Sequence, residues 1–352
     1  MEGTNETIVS VAISVLYVVN SWPSRSAPDL GIFNQRQVES VSVYLSEHRV
    51  YFINGRLKGP KAYIIALFDL FRIFKNQKFD VVHVMHGYSI LPVAALSCIF
   101  RFNRIVLSLQ NPLLKEFAGN RPYLNGLSNV LLRVIVKKLN VAIIYKDQDH
   151  DVYRRVLSNT KDIYHLPNGI NSEMFKNLNR EWCRDKHGVA ADEKLILFIS
   201  SRDINRPQKR LDRFMEINKK LKNSSLGFNI KIRLISNEEP EVVRELIKSA
   251  DLFLLTSDYE GSPNSVKEAV LAGCPVVATP VGNVKDLLDG LSFCRVAQSF
   301  DNDELFLHSM EMLSCTVNPK NEIEGYMRLH DLALLSEQVS HKLINIYEKV
   351  LD

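Results

Sequence analysis

The sequence predicts an α/β protein of two domains, each built on an open parallel sheet. Its 352 residues are enough for about two domains. Short apolar runs, typical of strands buried on both faces, alternate with helical stretches along most of the chain. Near mid-chain, the turn-forming run Pro167-Asn168-Gly169-Ile170-Asn171 separates two such series. We therefore expect one domain over residues 1–167 and a second over residues 168–339.

Composition excludes several classes of protein. With 46% hydrophobic and 24% charged residues, the chain is an ordinary globular protein, and a net charge of +4 is too small to indicate nucleic-acid binding. The five cysteines are scattered, which fits a reducing compartment. The apolar run Ile8 to Val19 is too short to span a bilayer and lacks the basic flank of a signal peptide. These features predict a cytoplasmic protein.

The first domain offers two candidate site residues, each placed after a predicted strand. Ile8 to Val19 is the first strand, and the loop Trp22 to Phe33 that follows contains Gly31. That glycine is either an ordinary turn residue or a point where the backbone approaches a ligand closely. The strand Asp80 to Met85 is followed by His86, an imidazole at a strand's carboxyl end that is suited to holding a hydroxyl.

The second domain is organised around residues 251–289. The apolar run Leu252 to Leu255 predicts a buried strand, and Ser262-Pro263 predicts a helix with serine as its N-cap and proline as its first residue. Gly273 predicts the end of that helix. Val276 to Ala278 predicts the strand that closes the unit. In such units ligands bind outside the carboxyl ends of the strands, which places the loop before the helix at a site.

This loop carries two carboxylates and several backbone donors. Glu260 precedes the helix and Glu268 lies inside it, while the amides of Ser262, Asn264 and Ser265 lie at the positive end of the helix dipole. Such a set is suited to an anion or to sugar hydroxyls. The structural alternative is a capping box from Ser265 to Glu268.

Two stretches carry a resemblance to a known family. Glu260 and Glu268, separated by seven residues within YEGSPNSVKEAVLAGCPVVATPVGNVKDLL, resemble the E-x7-E signature of retaining glycosyltransferases of family 4. The mid-chain run LPNGINSEMF resembles the family's link between domains. The resemblance implies the GT-B fold, in which two Rossmann-like domains face one another across a cleft. It also implies that the final helix, residues 340–352, packs back on the first domain.

The resemblance also implies roles for particular residues. Glu268 holds the ribose hydroxyls of a nucleotide diphosphate sugar, and Glu260 holds the sugar ring together with the backbone from Ser262 through Pro263 to Asn264 and Ser265. Lys209 and Arg202 neutralise the leaving diphosphate, with Arg206 as the alternative arginine. Gly31 lies near the donor phosphates and His86 near the reacting sugars. The family's mechanism needs no metal and no cofactor.

The predicted activity is transfer of a hexose-type sugar, with retention, from a UDP-, GDP- or ADP-linked donor to an acceptor hydroxyl. The acceptor is a saccharide or a lipid-linked molecule, in the assembly of cell-surface polysaccharide or glycolipid. Three alternatives stay open: a nucleotide-sugar epimerase on the same fold, a phosphorylase, and a binding protein without turnover. The phosphorylase lacks a recognisable phosphate or pyridoxal phosphate motif.

Two Asp-x-Asp patterns raise the question of a metal site. Asp147 and Asp149 follow an apolar strand, and Asp301 and Asp303 precede a helix. Paired carboxylates suit a hard cation, but aspartates at these positions also serve as helix caps. We expect caps rather than a metal.

The predicted helix Lys61 to Lys75 suggests a membrane contact. The cations Lys61, Arg72, Lys75 and Lys78 lie close in sequence to Phe68, Phe71 and Phe74. A basic and aromatic surface of this kind binds anionic lipid. The alternative is a helix packed on the core with solvated charges. The sequence thus predicts a peripheral position at the inner face of the membrane as an addition to the cytoplasmic assignment.

Overall fold

A computed structural model describes residues 11–25, 27–100, 104–109, 139–144, 162–201, 203–224 and 227–352. The chain divides into two compact units. The first comprises residues 1–22, 31–167 and 337–352, and the second comprises residues 23–30 and 168–336. We number strands and helices in chain order through the described residues.

The first unit contains a six-stranded sheet in which every strand pairs in parallel with its neighbours. The spatial order is β2-β1-β3-β4-β5-β6. Apolar side chains cover both faces of the inner strands, as expected for a parallel sheet with helices on both sides. The strands are β1 (Val11–Val19), β2 (Leu45–Phe52), β3 (Val81–Val84), β4 (Arg104–Leu109), β5 (Val141–Ile144) and β6 (Asp162–His165).

The described helices of the first unit fill the connections between these strands, with one addition from the end of the chain. They are α1 (Ile32–Ser42), α2 (Gly55–Lys58), α3 (Lys61–Asn76) and α4 (Ile90–Leu96), and the final helix α12 (Ser336–Leu351). A 3-10 turn, Gly87–Ser89, joins β3 to α4. Residues 337–352, which make up nearly all of α12, belong to the first unit.

The second unit contains a five-stranded parallel sheet of order β11-β10-β9-β7-β8. Its strands are β7 (Glu193–Ile199), β8 (Asn229–Ile235), β9 (Leu252–Leu255), β10 (Val276–Ala278) and β11 (Cys294–Val296). Its helices are α5 (Arg180–Lys186), α6 (Leu211–Asn223), α7 (Pro240–Ser249), α8 (Asn264–Leu271), α9 (Val284–Leu288), α10 (Asn302–Ser314) and α11 (Lys320–Asp331). Two 3-10 turns, Ser172–Phe175 and Pro207–Lys209, complete the described elements.

Each sheet has one point where the order of the strands reverses direction along the sheet. In the first unit this switch point lies between β1 and β3, and in the second it lies between β7 and β9. The loops that leave these neighbouring strands diverge to opposite sides of the sheet and open a crevice at their carboxyl ends. The switch points are therefore where each unit is expected to bind a ligand.

A buried polar network attaches α12 to the first unit's sheet. His83 on β3 is fully buried, and its Nδ1 lies 2.6 Å from the Tyr347 hydroxyl while its Nε2 lies 2.7 Å from Ser108 Oγ. Tyr347 donates in turn to the Tyr17 hydroxyl at 3.3 Å. Burial lowers the pKa of His83 to about 3, so the ring is neutral at physiological pH. His83 thus has a structural role in holding the last helix.

Within the described ranges, no helix has the length and apolar composition needed to cross a bilayer. The longest of them, α3 and α12, have 16 residues each, which at 1.5 Å per residue is shorter than the hydrocarbon core.

Candidate active site

The two loops at the second unit's switch point carry the candidate residues. The chain leaves β7 at Ile199 and reaches the 3-10 turn that ends in Lys209. It leaves β9 at Leu255 and passes through Glu260 before α8 begins. Because β7 and β9 are adjacent and parallel, both loops start at the same edge of the sheet. The topology therefore brings together two residues that are 51 positions apart in the sequence, from Lys209 to Glu260.

Lys209 and Glu260 form an ion pair at this edge. Lys209 Nζ lies 2.7 Å from Glu260 Oε1, and the side chains are 11% and 13% exposed. The same carboxylate oxygen accepts a hydrogen bond from Ser257 Oγ at 2.8 Å. Ser257 is itself held through its carbonyl, which accepts from Thr279 Oγ1 at 2.7 Å. The pair is thus fixed from two sides while a small part of each side chain stays open to solvent.

Backbone and side-chain bonds between the two loops support this pair. Thr256 Oγ1 donates to the Lys209 carbonyl at 2.8 Å, and the Asp258 amide donates to the Gln208 carbonyl at 2.8 Å. The buried guanidinium of Arg213 donates to the Thr256 carbonyl at 2.7 Å and contacts the Asp258 carboxylate at 3.1 Å. The β9 loop therefore helps to fix the position of Lys209, and the loop that carries Lys209 helps to fix the position of the β9 loop.

Arg210, the residue after Lys209, has an unusual backbone conformation. Its backbone is left-handed, with φ of +53°, a conformation that side chains other than glycine rarely adopt. Its guanidinium bonds Asp212 at 2.7 Å and Asp258 at 3.0 Å. These charge-assisted bonds offset the strain of the backbone, so the turn after Lys209 keeps a glycine-like shape with an arginine in it.

The helix α8 begins one residue later than predicted. Pro263 is the N-cap rather than the first helical residue, with φ −69° and ψ 116°, and no side chain caps the helix. Ser262 is therefore not the N-cap, and the prediction that it caps the helix is wrong. Ser265 lies inside the helix, which also excludes the capping box from Ser265 to Glu268. Pro263 is not part of the helix because its ψ is extended, so Asn264 is the first residue with helical backbone geometry.

The late start leaves polar groups without partners at the head of α8. Ser262 Oγ is buried and has no hydrogen-bond partner among the described residues. The amides of Asn264 and Ser265 belong to the first turn, where helix geometry provides no carbonyl for them. Glu268 follows one turn later and is half-buried. The end of the helix agrees with the prediction, since Gly273 adopts φ of +67° just after it.

A second loop presses against this region and was not predicted as part of the site. A Cβ on Gly282 would lie 2.1 Å from the Gly261 carbonyl oxygen, and φ at Gly282 is +57°. The next amide, that of Asn283, donates to the same carbonyl at 3.1 Å. Asn283 Oδ1 is buried and has no partner in the part of the chain that the structure describes. The only signal in the sequence was the pair Val281-Gly282 after a buried strand, which does not report a contact across loops.

Lys267, between the two glutamates, is fully buried and was also missed. Its Nζ donates to the Asn168 carbonyl at 2.6 Å. Burial lowers the pKa of Lys267 to about 7, and the neighbouring charge of Glu268 opposes this shift. The sequence gives no sign of this burial, because helical period alone does not show what covers a short helix.

Other predicted positions are less informative. Arg202 lies outside the described residues, as do Asp147 and Asp149. Arg206, the alternative arginine, contacts Ser201 Oγ at 3.3 Å.

Asp301, from the second Asp-x-Asp pattern, is the N-cap of α10, and its side chain accepts from the Asp303 amide at 3.1 Å. The cap prediction for this pattern is confirmed. The described residues contain no cluster of three or more histidine, cysteine, aspartate or glutamate side chains arranged for a metal.

The two candidates of the first unit both lie in loops at its switch point. Gly31 has φ of +67°, and a Cβ there would lie 2.4 Å from the carbonyl oxygen of Ser21, just after β1. Glycine is required at this position by contact with its own chain. His86 follows β3, is half-buried, and accepts a hydrogen bond at Nδ1 from the Tyr88 amide at 3.3 Å. This bond leaves the proton of the neutral ring on Nε2.

Comparison with known proteins identifies the fold. The solved sucrose-phosphate synthase of Thermosynechococcus elongatus matches 96% of this chain and 99% of its own, at 13% identity and a TM-score of 0.74. The structure of Anabaena HepE in complex with UDP-glucose matches 96% of this chain and 100% of its own, at 13% identity and a TM-score of 0.62. These likenesses and the two parallel-sheet units confirm the predicted GT-B fold.

Sequence comparisons give one match that lies within the second unit and one that covers more than half of the chain. Residues 206–313 match the family model described as glycosyl transferases group 1. N-acetyl-alpha-D-glucosaminyl L-malate synthase of Bacillus anthracis is 21% identical over 235 residues, which cover 61% of this chain. The match spans about 60% of the length of that relative. The matched range contains Lys209, Glu260 and Glu268, so the chain has a GT-B fold whose candidate site lies in a stretch of glycosyl transferases group 1 character.

Proposed function

We propose that this protein is a retaining glycosyltransferase of family 4 that transfers a hexose-type sugar from a nucleotide diphosphate sugar to an acceptor hydroxyl. The observation that carries the proposal is the ion pair between Lys209 and Glu260 at the switch point of the second sheet. The glycosyl transferases group 1 match over the same residues supports it. A structural neighbour that binds UDP-glucose supports the choice of donor class.

Lys209 and Glu260 bind different parts of the donor. Lys209 lies at the mouth of the crevice where a diphosphate is expected, and its ammonium offsets the charge that builds up on the leaving group. Glu260 accepts hydrogen bonds from sugar hydroxyls. Both charged groups are held in position before the donor binds. Little reorganisation is therefore needed when the bond between the sugar and the diphosphate breaks.

The unpartnered groups around Glu260 extend this site. Ser262 Oγ and the amides of Asn264 and Ser265 lie at the helix head, and Asn283, whose amide bonds the Gly261 carbonyl, adds the acceptor Oδ1. A polyhydroxylated ring satisfies such groups, which are costly to leave unmade when buried. Pro263 shapes the entry to α8, and Glu268 takes the ribose hydroxyls.

The remaining assignments follow the same proposal. Arg202 assists Lys209 on the diphosphate, while Gly31 and His86 in the first unit serve the donor phosphates and the reacting sugars. The departing phosphate takes the proton of the acceptor hydroxyl on the same face of the sugar. Charge stabilisation then comes from side chains, and we propose that neither a metal nor a cofactor takes part. The acceptor is a saccharide or a lipid-linked molecule in cell-surface polysaccharide or glycolipid assembly.

The proposal is tested first by binding and then by turnover. UDP, GDP and ADP are screened by thermal shift, where a nucleotide at about 100 times its Kd stabilises the fold by about 2.7 kcal/mol. The matching sugar donors are then incubated with candidate acceptors, and the anomeric configuration of the product is read by proton NMR. Retention of configuration in a product free of nucleotide supports the proposal. Inversion contradicts it.

The same assay separates the alternatives. A nucleotide-sugar epimerase converts the donor without an acceptor, and its product stays attached to the nucleotide. A binding protein without turnover is stabilised by the nucleotide but leaves every donor intact, and then Glu260→Gln has no effect beyond binding.

A further inference from the structure

One face of α3 exposes large apolar side chains that the fold does not use. The helix buries Ala62, Ala66, Leu70, Ile73 and Phe74 against the first unit's core. Its opposite face exposes Ile64 by 60%, Ile65 by 42%, Phe68 by 63% and Phe71 by 39%. These four positions follow the three- and four-residue spacing of one helical stripe. We call this stripe the α3 face.

The α3 face extends onto the end of the neighbouring helix. Phe100, just after α4, packs edge-to-face against Phe71 with ring centroids 5.3 Å apart. Ile99 beside it is 68% exposed. Scattered exposed apolar residues are normal, but a contiguous group of this kind marks a surface that binds something.

Cations are interleaved with these apolar residues. Lys61, Arg72 and Lys75 are exposed and share the same helical stripe, and Lys58 and Lys78 lie exposed just before and just after the helix. The single acidic residue of α3 is Asp69, which accepts a bond from the Tyr51 hydroxyl at 2.9 Å and lies 3.6 Å from Arg72. The face is therefore strongly basic as well as apolar.

From this combination we propose that the α3 face docks on an anionic membrane surface, with the helix lying in the plane of the headgroups. Phenylalanine and isoleucine enter the boundary of the acyl chains, and the cations meet lipid phosphates. A protein partner or a second copy of this chain fits less well, because the centre of a protein interface is depleted of charge. Here lysine and arginine lie within the apolar stripe itself.

The surface is inferred from the first unit alone. Docking on a membrane favours a lipid-linked acceptor over a free saccharide, a conclusion that rests on the proposed function. The lysine and arginine stems also extend far enough for the charged ends to reach phosphates while the apolar stems are buried.

Vesicle co-sedimentation of the full chain tests the docking. Vesicles of phosphatidylcholine alone are compared with vesicles that contain phosphatidylglycerol, each over a series of salt concentrations. We expect binding to the anionic vesicles that weakens as salt rises and little binding to the neutral ones. Ile64→Ser with Phe68→Ser reduces binding at least about tenfold, since two apolar side chains no longer enter the lipid. Lys61→Gln with Lys75→Gln reduces it by about fivefold for each cation removed.

Matched variants in the second unit serve as controls. Leu307 is 63% exposed on α10 and Ile323 is 66% exposed on α11, so Leu307→Ser with Ile323→Ser removes similar apolar surface elsewhere. This variant keeps the binding of the original protein. Circular dichroism and nucleotide-induced thermal shift verify that the α3 variants are folded.

Several results overturn the proposal. Equal binding to neutral and anionic vesicles removes the role of the cations, and equal loss in the control variant removes the role of the α3 face. Light scattering that shows a dimer in the original protein and a monomer in Ile64→Ser with Phe68→Ser assigns the face to self-association. None of these measurements depends on sugar transfer, so the docking and the proposed function fail separately.

Discussion

The two units hold a basic side chain beside their switch points in opposite ways. In the first unit, His83 is sealed in the core with neutral hydroxyl partners, Ser108 and Tyr347. In the second, Lys209 faces a carboxylate and keeps an opening to solvent. A neutral partner and complete burial favour an uncharged structural group, while a charged partner at a crevice favours a group that is available to a ligand. The charge of the partner therefore distinguishes a structural group from one that can bind a ligand better than the residue type does.

The largest expected effect comes from the charged pair. Lys209→Met and Glu260→Gln each lower kcat/KM for sugar transfer by about a hundredfold or more, because each removes a preorganised charge from the reacting centre. The measurement is steady-state transfer with the donor identified by thermal shift. The double variant is expected to cost less than the sum of the two single changes, since the two residues act through one contact.

A second ion pair in the same unit provides the control. Lys248 Nζ lies 2.6 Å from Glu322 Oε1, away from the switch-point loops, and the lysine side chain is 7% exposed. Lys248→Met removes a similar contact and leaves kcat/KM unchanged for the folded protein. If it lowers kcat/KM as much as Lys209→Met does, then the contrast between the two kinds of buried cation is wrong.

The sealed histidine is expected to act on stability alone. The pKa of His83 is about 3 in the folded protein and about 6.5 in the unfolded chain, so the unfolded chain binds the proton first as pH falls. His83 therefore lowers the free energy of unfolding by about 2.5 kcal/mol between pH 6 and pH 4. Urea unfolding of the original protein and of His83→Gln measures this difference in slope. His330→Gln, at an exposed position, is the control, and an unchanged slope in His83→Gln contradicts the prediction.

The smallest effect tests whether Lys267 belongs with His83 or with Lys209. Its folded pKa of about 7 lies below the value of about 10.5 in the unfolded chain, so the unfolded chain keeps its proton longer as pH rises. The free energy of unfolding consequently rises by about 1 kcal/mol between pH 7 and pH 8 from this group. Lys267→Met removes that rise, and Lys285→Met at an exposed position does not. If the free energy of unfolding still rises in Lys267→Met, then Lys267 is not the source of the rise and the lysine keeps its charge in the folded protein.

Much of the fold was predictable because strands buried on both faces leave a strong signal. The strands Leu252–Leu255 and Val276–Ala278 have the bounds that the apolar runs predicted. The ends of helices were less certain. Ser262-Pro263 has the chemistry of a cap followed by a first residue, but the proline backbone is extended and the helix starts at Asn264.

The candidate site was predictable only in part, for a physical reason. Glu260 and Glu268 lie close together in the sequence, so their spacing can be read from it directly. The contacts of Gly282 with Gly261 and of Lys267 with Asn168 join segments that no short pattern connects. His83 is a further case, because its contact with Tyr347 joins two segments that lie far apart in the sequence. Long-range burial decides such cases, and it is visible only in the structure.

The bond from Lys267 to the Asn168 carbonyl has a consequence for how the chain flexes. Leu166 is held in the first sheet by its amide, which donates to the Ile144 carbonyl at 2.9 Å, and Asn168 is held in the second unit. Between them lies Pro167, whose ring fixes φ. The backbone between these two hydrogen-bonded residues therefore has few free torsions, so Pro167→Gly is expected to loosen the chain locally while both hydrogen bonds stay in place.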